Sequence, residues 1–281
     1  MPSIITIQTL IKWAKQQLKN VESAALDAEL LLAHVLKLKR VQLYTQSLQE
    51  ITSTQQAQFE DLIARRCAGE PVAYLVGYRE FWSLPLEVTP DVLIPRPETE
   101  GIIELLLQKL PAHKYCKVAD LGTGSGAIAL ALASERPNWS IVATDKHNAA
   151  LMIAARNAKL LKITNIEFRQ GEWCAALNGE MFSAIVSNPP YIAQDDEHLR
   201  SKELQYEPQT ALVASQQGLA DLEQIIQQAR SHLITDGWLI LEHGYQQSAA
   251  VKKMLEKYSY SAITDQPDLV GIARFAVAQA R

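Results

Sequence analysis

Apolar residues recur at three- and four-residue intervals in three stretches between residues 4 and 70. The spacing predicts three helices: TIQTLIKWAKQQL, SAALDAELLLAHVLKL and STQQAQFEDLIARRCAG. Thr6, Ser23 and Ser53 stand where N-caps are wanted, and Gly69 followed by Pro71 closes the set. The pattern then changes. In YLVGYREFWSLPLEVTPDVLIPRPETE, residues 74–100, aromatic and β-branched side chains alternate around Ser83, Pro85 and Pro90, which predicts a β-hairpin linker. Beyond it, short apolar runs alternate with helical spacing: CKVADL, AIALALASE, SIVATD, AALMIAARNAKLL, NIEFRQ, FSAIVSN, LADLEQIIQQARSHLI and WLILEHG. Such alternation predicts an α/β fold, with right-handed crossovers and a mainly parallel sheet covered on both faces. The tail, SAITDQPDLVGIARFAVAQ in outline, is expected to supply two last strands in antiparallel pairing. The expected division is a helical domain over 1–72, a hairpin linker over 73–100 and an α/β domain over 101–281.

With 281 residues and 48% of them hydrophobic, the chain is long enough for one large or two ordinary domains with a sizeable core. A net charge of −4 argues against holding nucleic acid through broad phosphate contacts. The helical domain is nearly balanced in charge, and its charged residues, Asp27, Glu29 and Arg66 among them, read as a solvated helix surface. Cys67, Cys116 and Cys174 are far apart and form no C-x-x-C pair, so neither a disulfide framework nor a zinc site is expected. MPSIITIQTLIKWAKQQ lacks a basic start followed by an uninterrupted apolar stretch, and no segment approaches the ~20 apolar residues of a membrane span. The expectation is a cytoplasmic protein that is a monomer and makes no membrane contact.

Chemistry enters with the glycines. CKVADL runs straight into GTGSGA and then a helix, so Gly122, Gly124 and Gly126 sit where a backbone must turn tightly and approach a ligand. About twenty residues on, the next strand ends in Asp145, whose carboxylate suits both hydroxyls of a ribose. Together they predict a nucleoside cofactor. Gly122-x-Gly124-x-x-Ala127 also satisfies the relaxed dinucleotide pattern, so the loop alone leaves a nicotinamide cofactor open beside S-adenosyl-L-methionine.

FSAIVSNPPY, residues 182–191, breaks the tie. Pro189 and Pro190 lack N–H groups, and a residue before proline is pushed to extended geometry, so Asn188 is held nearly straight. The Asn188 side-chain oxygen and the Pro189 carbonyl then face a spot that has acceptors and no backbone donors. That spot suits a primary amide or an exocyclic amine, and it lies at the same edge of the sheet as the glycine loop. Taken alone, Asn-Pro-Pro also reads as a turn that ends a strand. An acceptor-lined pocket beside a methyl sulfonium is a methyl-transfer site, for which hydride transfer has little use.

At this point the sequence resembles a known family. DLGTGSG at 120–126 with NPPY at 188–191 is similar to Rossmann-like S-adenosylmethionine-dependent methyltransferases that modify a planar nitrogen. The helical N-terminus, EPVAYLVGYREFWSLPLEVTPDVLIPRPETE at 70–100, EPQTALVASQQGL at 207–219 and LILEHG at 239–244 together resemble the release factor glutamine methyltransferase (PrmC/HemK) family. The resemblance covers nearly the whole chain. It implies a seven-stranded, mainly parallel sheet and an N-terminal domain that recognises substrate. It also implies methylation of the glutamine amide in the Gly-Gly-Gln motif of bacterial peptide chain release factors.

Carried over by position, the resemblance makes Gly122, Thr123, Gly124, Ser125 and Gly126 the cofactor loop and Asp145 the ribose ligand. Trp173 would lie against the adenine. Asn188, Pro189, Pro190 and Tyr191 would hold the substrate glutamine, with the Tyr191 ring on the flat amide and Asn188 also touching the cofactor. Glu172 stands where the family commonly has Asp, which leaves its adenine contact open. Glu98 and Glu100 read as an acidic helix start, and His243 as a satisfied core histidine. The rival enzyme is an adenine amino-methyltransferase acting on DNA or RNA. It calls for a basic, aromatic-rich recognition region that this chain does not show.

Overall fold

The computed structural model of the chain describes residues 5–281 and, at His198, the backbone alone; the first four residues of the predicted helical domain lie outside the described residues. Two compact units emerge, one formed by residues up to Gly77 together with Arg200–Tyr206, the other by Tyr78–Leu199 and Glu207–Arg281.

The first unit is helical: α1 (Ile7–Gln17), α2 (Ala24–Leu36), α3 (Arg40–Thr45), α4 (Ser53–Ala68) and α5 (Val72–Val76). Its core joins Ile7, Leu10, Ala14, Leu31, Leu32, Phe59 and Ile63, the residues that the helical spacing places on one face of each helix. Thr6 caps α1 in a reciprocal box with Thr9, as expected. Ser23 occupies its N-cap position without a side-chain bond. The cap of α4 is Thr52 rather than Ser53: both Thr52-x-x-Gln55 and Ser53-x-x-Gln56 fit a capping box, and Gln56 is instead engaged with Glu60 at 2.7 Å. Three charges of the predicted solvated surface are buried: Asp27, Glu29 and Arg66 are each 6% exposed or less. Arg66 Nε donates to Asp27 at 2.7 Å and its Nη2 to Glu203, which pins the 200–206 excursion to α4. Burial of these charges is tolerated because each is paired; an unpaired member would cost about 3–5 kcal/mol.

The second unit begins with a hairpin, β1 (Tyr78–Phe81) and β2 (Leu84–Glu87), closed by Trp82 and Ser83, both in the left-handed region. Glu100 accepts the Trp82 backbone N–H at 2.8 Å and Glu135 accepts the indole N–H, so tertiary contacts hold a turn that Asn-Gly would otherwise favour. Then follow α6 (Glu100–Lys109), β3 (Lys117–Leu121), α7 (Ala127–Glu135), β4 (Ser140–Asp145), α8 (Asn148–Leu161), β5 (Ile166–Gln170) and β6 (Phe182–Ser187). After β6 come the short α9 (Ser215–Gly218), α10 (Ala220–Ala229), β7 (Leu233–Glu242), α11 (Ser248–Lys257), β8 (Tyr260–Pro267) and β9 (Ala273–Ala280).

The seven strands form one sheet in the order β5-β4-β3-β6-β7-β9-β8. Neighbours from β5 through β7 are parallel, while β9 is antiparallel to both β7 and β8. The chain winds outward from β3 in one direction and resumes at β6 on the other side. The crevice at that reversal is where ligands of such sheets bind. Separate apolar clusters cover the two faces, one around Ile102, Leu106, Ile128 and Trp139, the other around Leu222, Ile225, Ile226 and Val251. Among the described residues no helix is long and apolar enough to cross a membrane.

Candidate active site

Register builds the site. Thr144, Leu121, Ser187 and Leu241 are matched across β4, β3, β6 and β7. The residues one step further along, Asp145, Gly122, Asn188 and Glu242, therefore stand in a row at the carboxyl ends, with neighbouring strands ~4.8 Å apart. The Ser187 hydroxyl donates to the Leu121 carbonyl at 2.7 Å and ties the two central strands together just before the row begins.

A cleft of about 280 Å³ opens over this row, near the lower end of small-molecule sites. Gly122, Gly124, Asp145, Glu172, Trp173, Asn188 and Pro190 line it. Thr123, Ser125, Gly126, Pro189 and Tyr191 do not belong to the lining; the first four are buried. Thr123 donates to Asp120 at 2.6 Å and shapes the loop from below. Gly124 holds φ +57°, and a Cβ there would project into open space on the cleft side. A Cβ on Gly122 would come 3.2 Å from the Trp173 ring, so the loop runs directly against the indole. Asp145 accepts the Gly124 N–H at 3.0 Å on Oδ2 and the His147 N–H at 2.8 Å on Oδ1. Each oxygen thus retains a lone pair. Glu172 is half-exposed at the rim, paired with Lys146 at 2.9 Å.

Three residues that the sequence reading did not single out complete the picture. Asp221, from α10, lines the cleft; burial raises its pKa, the Glu172 charge adds to this, and Lys146 and the Trp173 indole oppose it. Thr99 and Glu242 lie beneath Asn188, 4% and 1% exposed. Asn188 Nδ2 donates to Thr99 Oγ1 at 3.1 Å, Thr99 Oγ1 donates to Glu242 Oε2 at 2.7 Å, and the Tyr191 hydroxyl donates to Glu242 Oε1 at 3.0 Å. The Tyr191 ring, expected on the substrate, packs against the core cluster, with its hydroxyl turned to Glu242. Burial pushes the Glu242 carboxyl up to about 7, against the pull of the Thr99 and Tyr191 bonds and of Arg274, with Glu98 adding a smaller push. Burial, then the Glu242 charge, also raises the Tyr191 phenol above its ordinary value. His243 is fully buried, its Nδ1 at 2.9 Å from the Gly244 carbonyl and its Nε2 at 3.3 Å from Asp265, so it is the satisfied core histidine expected.

Asp120, just before the glycine loop, is fully buried, and burial pushes its carboxyl up to about 7, offset by bonds from Thr123 and Ala129. Its proton is held more tightly in the folded state than in the unfolded chain. The stability that this proton confers is present below about pH 4 and is lost as pH rises towards 7. Asp120→Asn carries no such proton. The advantage of the unsubstituted protein over this variant is therefore expected to shrink by on the order of 3 kcal/mol between pH 4 and 8. Denaturant titrations at the two pH values measure it, and a constant difference would contradict the raised pKa.

Comparison with known proteins agrees with this geometry. A model of the PrmC N-terminal domain matches residues 9–77, and a methyltransferase small domain model matches residues 101–207. The release factor glutamine methyltransferase of Coxiella burnetii is 48% identical over 277 residues, which is 98% of this chain and 99% of that protein. The enzyme of the same name from Escherichia coli is 48% identical over 246 residues, 88% of each chain.

The chain belongs to the release factor glutamine methyltransferase family.

Solved structures at lower identity share the fold of this family member. The hMettl16 catalytic domain, in complex with an RNA hairpin, aligns at TM-score 0.59 and 19% identity over 78% of this chain and 82% of that one. The T. thermophilus 16S rRNA N2 G1207 methyltransferase, in complex with AdoMet and guanosine, aligns at TM-score 0.54 and 17% identity, covering 73% of this chain and 50% of that one. Both likenesses are of fold alone.

Proposed function

We propose that this family member methylates the side-chain amide nitrogen of the glutamine in the Gly-Gly-Gln motif of peptide chain release factors, with S-adenosyl-L-methionine as methyl donor. The observation that carries the reading is the register Leu121↔Ser187, which sets the glycine loop and the Asn-Pro-Pro corner side by side on adjacent strands. The names of relatives 48% identical over almost the full chain supply the substrate class.

The cleft suits the cofactor. Gly122 and Gly124 leave room for close backbone approach, Asp145 keeps lone pairs for ribose hydroxyls, and Trp173 offers a flat face for the adenine. Thr123, Ser125 and Gly126 would hold the loop in shape from behind. Glu172, bound to Lys146 at the rim, would close the adenine side. When bound, the cofactor supplies an electrophilic methyl group on a sulfonium.

An amide nitrogen is a poor nucleophile because its lone pair is delocalised into the carbonyl. Asn188 Oδ1 and the Pro189 carbonyl would each accept one N–H of the glutamine, hold its nitrogen in line with the methyl group and stabilise the positive charge that develops there. The amide nitrogen so held would take the methyl group that the bound cofactor supplies, leaving a neutral thioether, and would then release its extra proton to water. Pro190, in the lining, would border the substrate, and Tyr191 would anchor the corner through Glu242. The helical unit would serve as the substrate-recognition domain. A release factor substrate puts the reaction in the cytoplasm, with no contact to nucleic acid required of this chain, and a monomer suffices because one chain supplies every group.

The test is to incubate the protein with methyl-labelled S-adenosylmethionine and a release factor, then with the same factor carrying alanine for the Gly-Gly-Gln glutamine. Label is expected on the first and absent from the second. Equal labelling of both would overturn the substrate assignment.

A further inference from the structure

An acceptor role for Asn188 depends on which end of its amide faces the cleft. The oxygen and the NH2 group of an asparagine are nearly the same size, and only hydrogen bonding distinguishes them. Reversed, Asn188 would present N–H to N–H and repel the substrate amide.

We propose that Glu242, acting through the Thr99 hydroxyl, is the positioning residue that fixes this orientation, an inference that rests on the acceptor role for Asn188 given above. Hydrogen counting decides the orientation. Above about pH 7 Glu242 is ionised, and an ionised carboxylate accepts and never donates. Both oxygens of Glu242 are occupied by O–H donors, Thr99 on Oε2 at 2.7 Å and Tyr191 on Oε1 at 3.0 Å. The single hydrogen of the Thr99 hydroxyl is therefore committed to Glu242. What Thr99 offers Asn188 at 3.1 Å is a lone pair, and a lone pair selects the NH2 end of the amide. Oδ1 must then point the other way, on the side of the cleft that Asn188 lines.

Burial makes the selection stringent. Thr99 and Glu242 are 4% and 1% exposed, so bulk water does not compete for these bonds, and a reversed amide would leave its oxygen facing an oxygen. Three separate elements meet here: the turn ahead of α6 supplies Thr99, the end of β7 supplies Glu242 and the end of β6 supplies Asn188. Their convergence over 143 and 89 residues of sequence separation serves no helix cap or strand pairing.

Thr99→Val keeps the shape of the side chain and removes both its donor and its acceptor. It is expected to lower kcat about ten- to a hundredfold, with the Kd for S-adenosylmethionine within about threefold of the unsubstituted protein. Thr99→Ser, which restores the hydroxyl, is expected to recover most of the lost rate. Should the valine variant not fold, Thr99→Ala, which creates less crowding, is read against the same two numbers. A plain structural brace predicts something else: rate, cofactor affinity and melting temperature falling together, and partial rescue at best. That outcome, or a Thr99→Val or Thr99→Ala variant at full rate, or a serine variant as slow as valine, overturns the proposal. The unsubstituted protein is run on the same release factor. If it leaves the glutamine unmethylated, the functional reading fails and takes the inference with it; if it methylates the glutamine and valine does so equally, the inference alone fails.

Discussion

Replacing Asn188 by alanine is expected to lower kcat for methyl transfer about a hundred- to a thousandfold, the size of effect seen when one preorganised polar group at a developing charge is removed. The Kd for S-adenosylmethionine should change by less than about threefold. The reason for the split is positional. The groups that suit the cofactor, Gly122, Gly124, Asp145 and Trp173, belong to the β3, β4 and β5 side of the row, whereas Asn188 ends β6. The backbone cost should be small, because Pro189 and Pro190 hold the corner by their own fixed φ. Alanine therefore removes the acceptor and leaves the corner standing. Single-turnover rates with labelled cofactor, set beside cofactor affinity by calorimetry, separate the two. A variant with near-normal turnover would refute the acceptor role.

The parts of this site legible in the sequence share one property: each follows directly on a short, largely apolar run. Gly122 ends KVADL, Asp145 ends SIVAT and Asn188 ends FSAIVS, and the boundaries read from those runs agree with β3, β4 and β6 to within a residue. A parallel strand buried on both faces is written as a continuous apolar run, so its end is written too. Once the ends are known, the rule that ligands bind beyond the carboxyl edge gathers the residues without any knowledge of register. LILEHG ends in the same way: His243 is core, and Glu242 beside it is the residue bonded to Thr99 and Tyr191.

What could not be read depends on contacts between distant segments. Thr99 lies between Glu98 and Glu100, which read as an acidic helix start. Glu98 is exposed and Glu100 accepts the backbone N–H of Trp82, while the threonine between them reaches both Asn188 and Glu242. The Trp82-Ser83 turn breaks local preference because Glu100 and Glu135 hold it from other elements. Arg66 and Asp27, at polar positions of two helices, are paired with each other, and Arg66 also with Glu203 from 137 residues away. In each case the partner is set by tertiary packing, and helical or strand periodicity carries no trace of it.

Gly218→Ala should disable the enzyme from outside the cleft. Gly218 holds φ +81°, and a Cβ built there falls 2.1 Å from the Tyr191 carbonyl oxygen and 2.7 Å from both the Tyr191 carbonyl carbon and Gln247 Nε2. The nearest of these is backbone rather than the far end of a flexible side chain. The Tyr191 carbonyl is backbone, and Gln247 Nε2 is bound to it at 2.9 Å, so the two are locked together. The parallel bridge between Ile192 and Val213 confines the next residue as well. A methyl group must therefore push the chain at Tyr191 by about an ångström, and Asn188 is three residues upstream across two stiff prolines. Misplacement on that scale costs methyl transfer on the order of a hundredfold. Cofactor affinity should be largely kept, since Gly122, Gly124 and Asp145 stand at the ends of β3 and β4 and not in the displaced segment. Gly179→Ala supplies the control: it too has positive φ, at +73°, but no atom lies within 4 Å of its Cβ. It should lose only the ~1–2 kcal/mol of left-handed strain and retain its rate. If Gly218→Ala turned over as fast as Gly179→Ala, the corner would not be braced from behind, and its geometry would have to be maintained by the prolines alone.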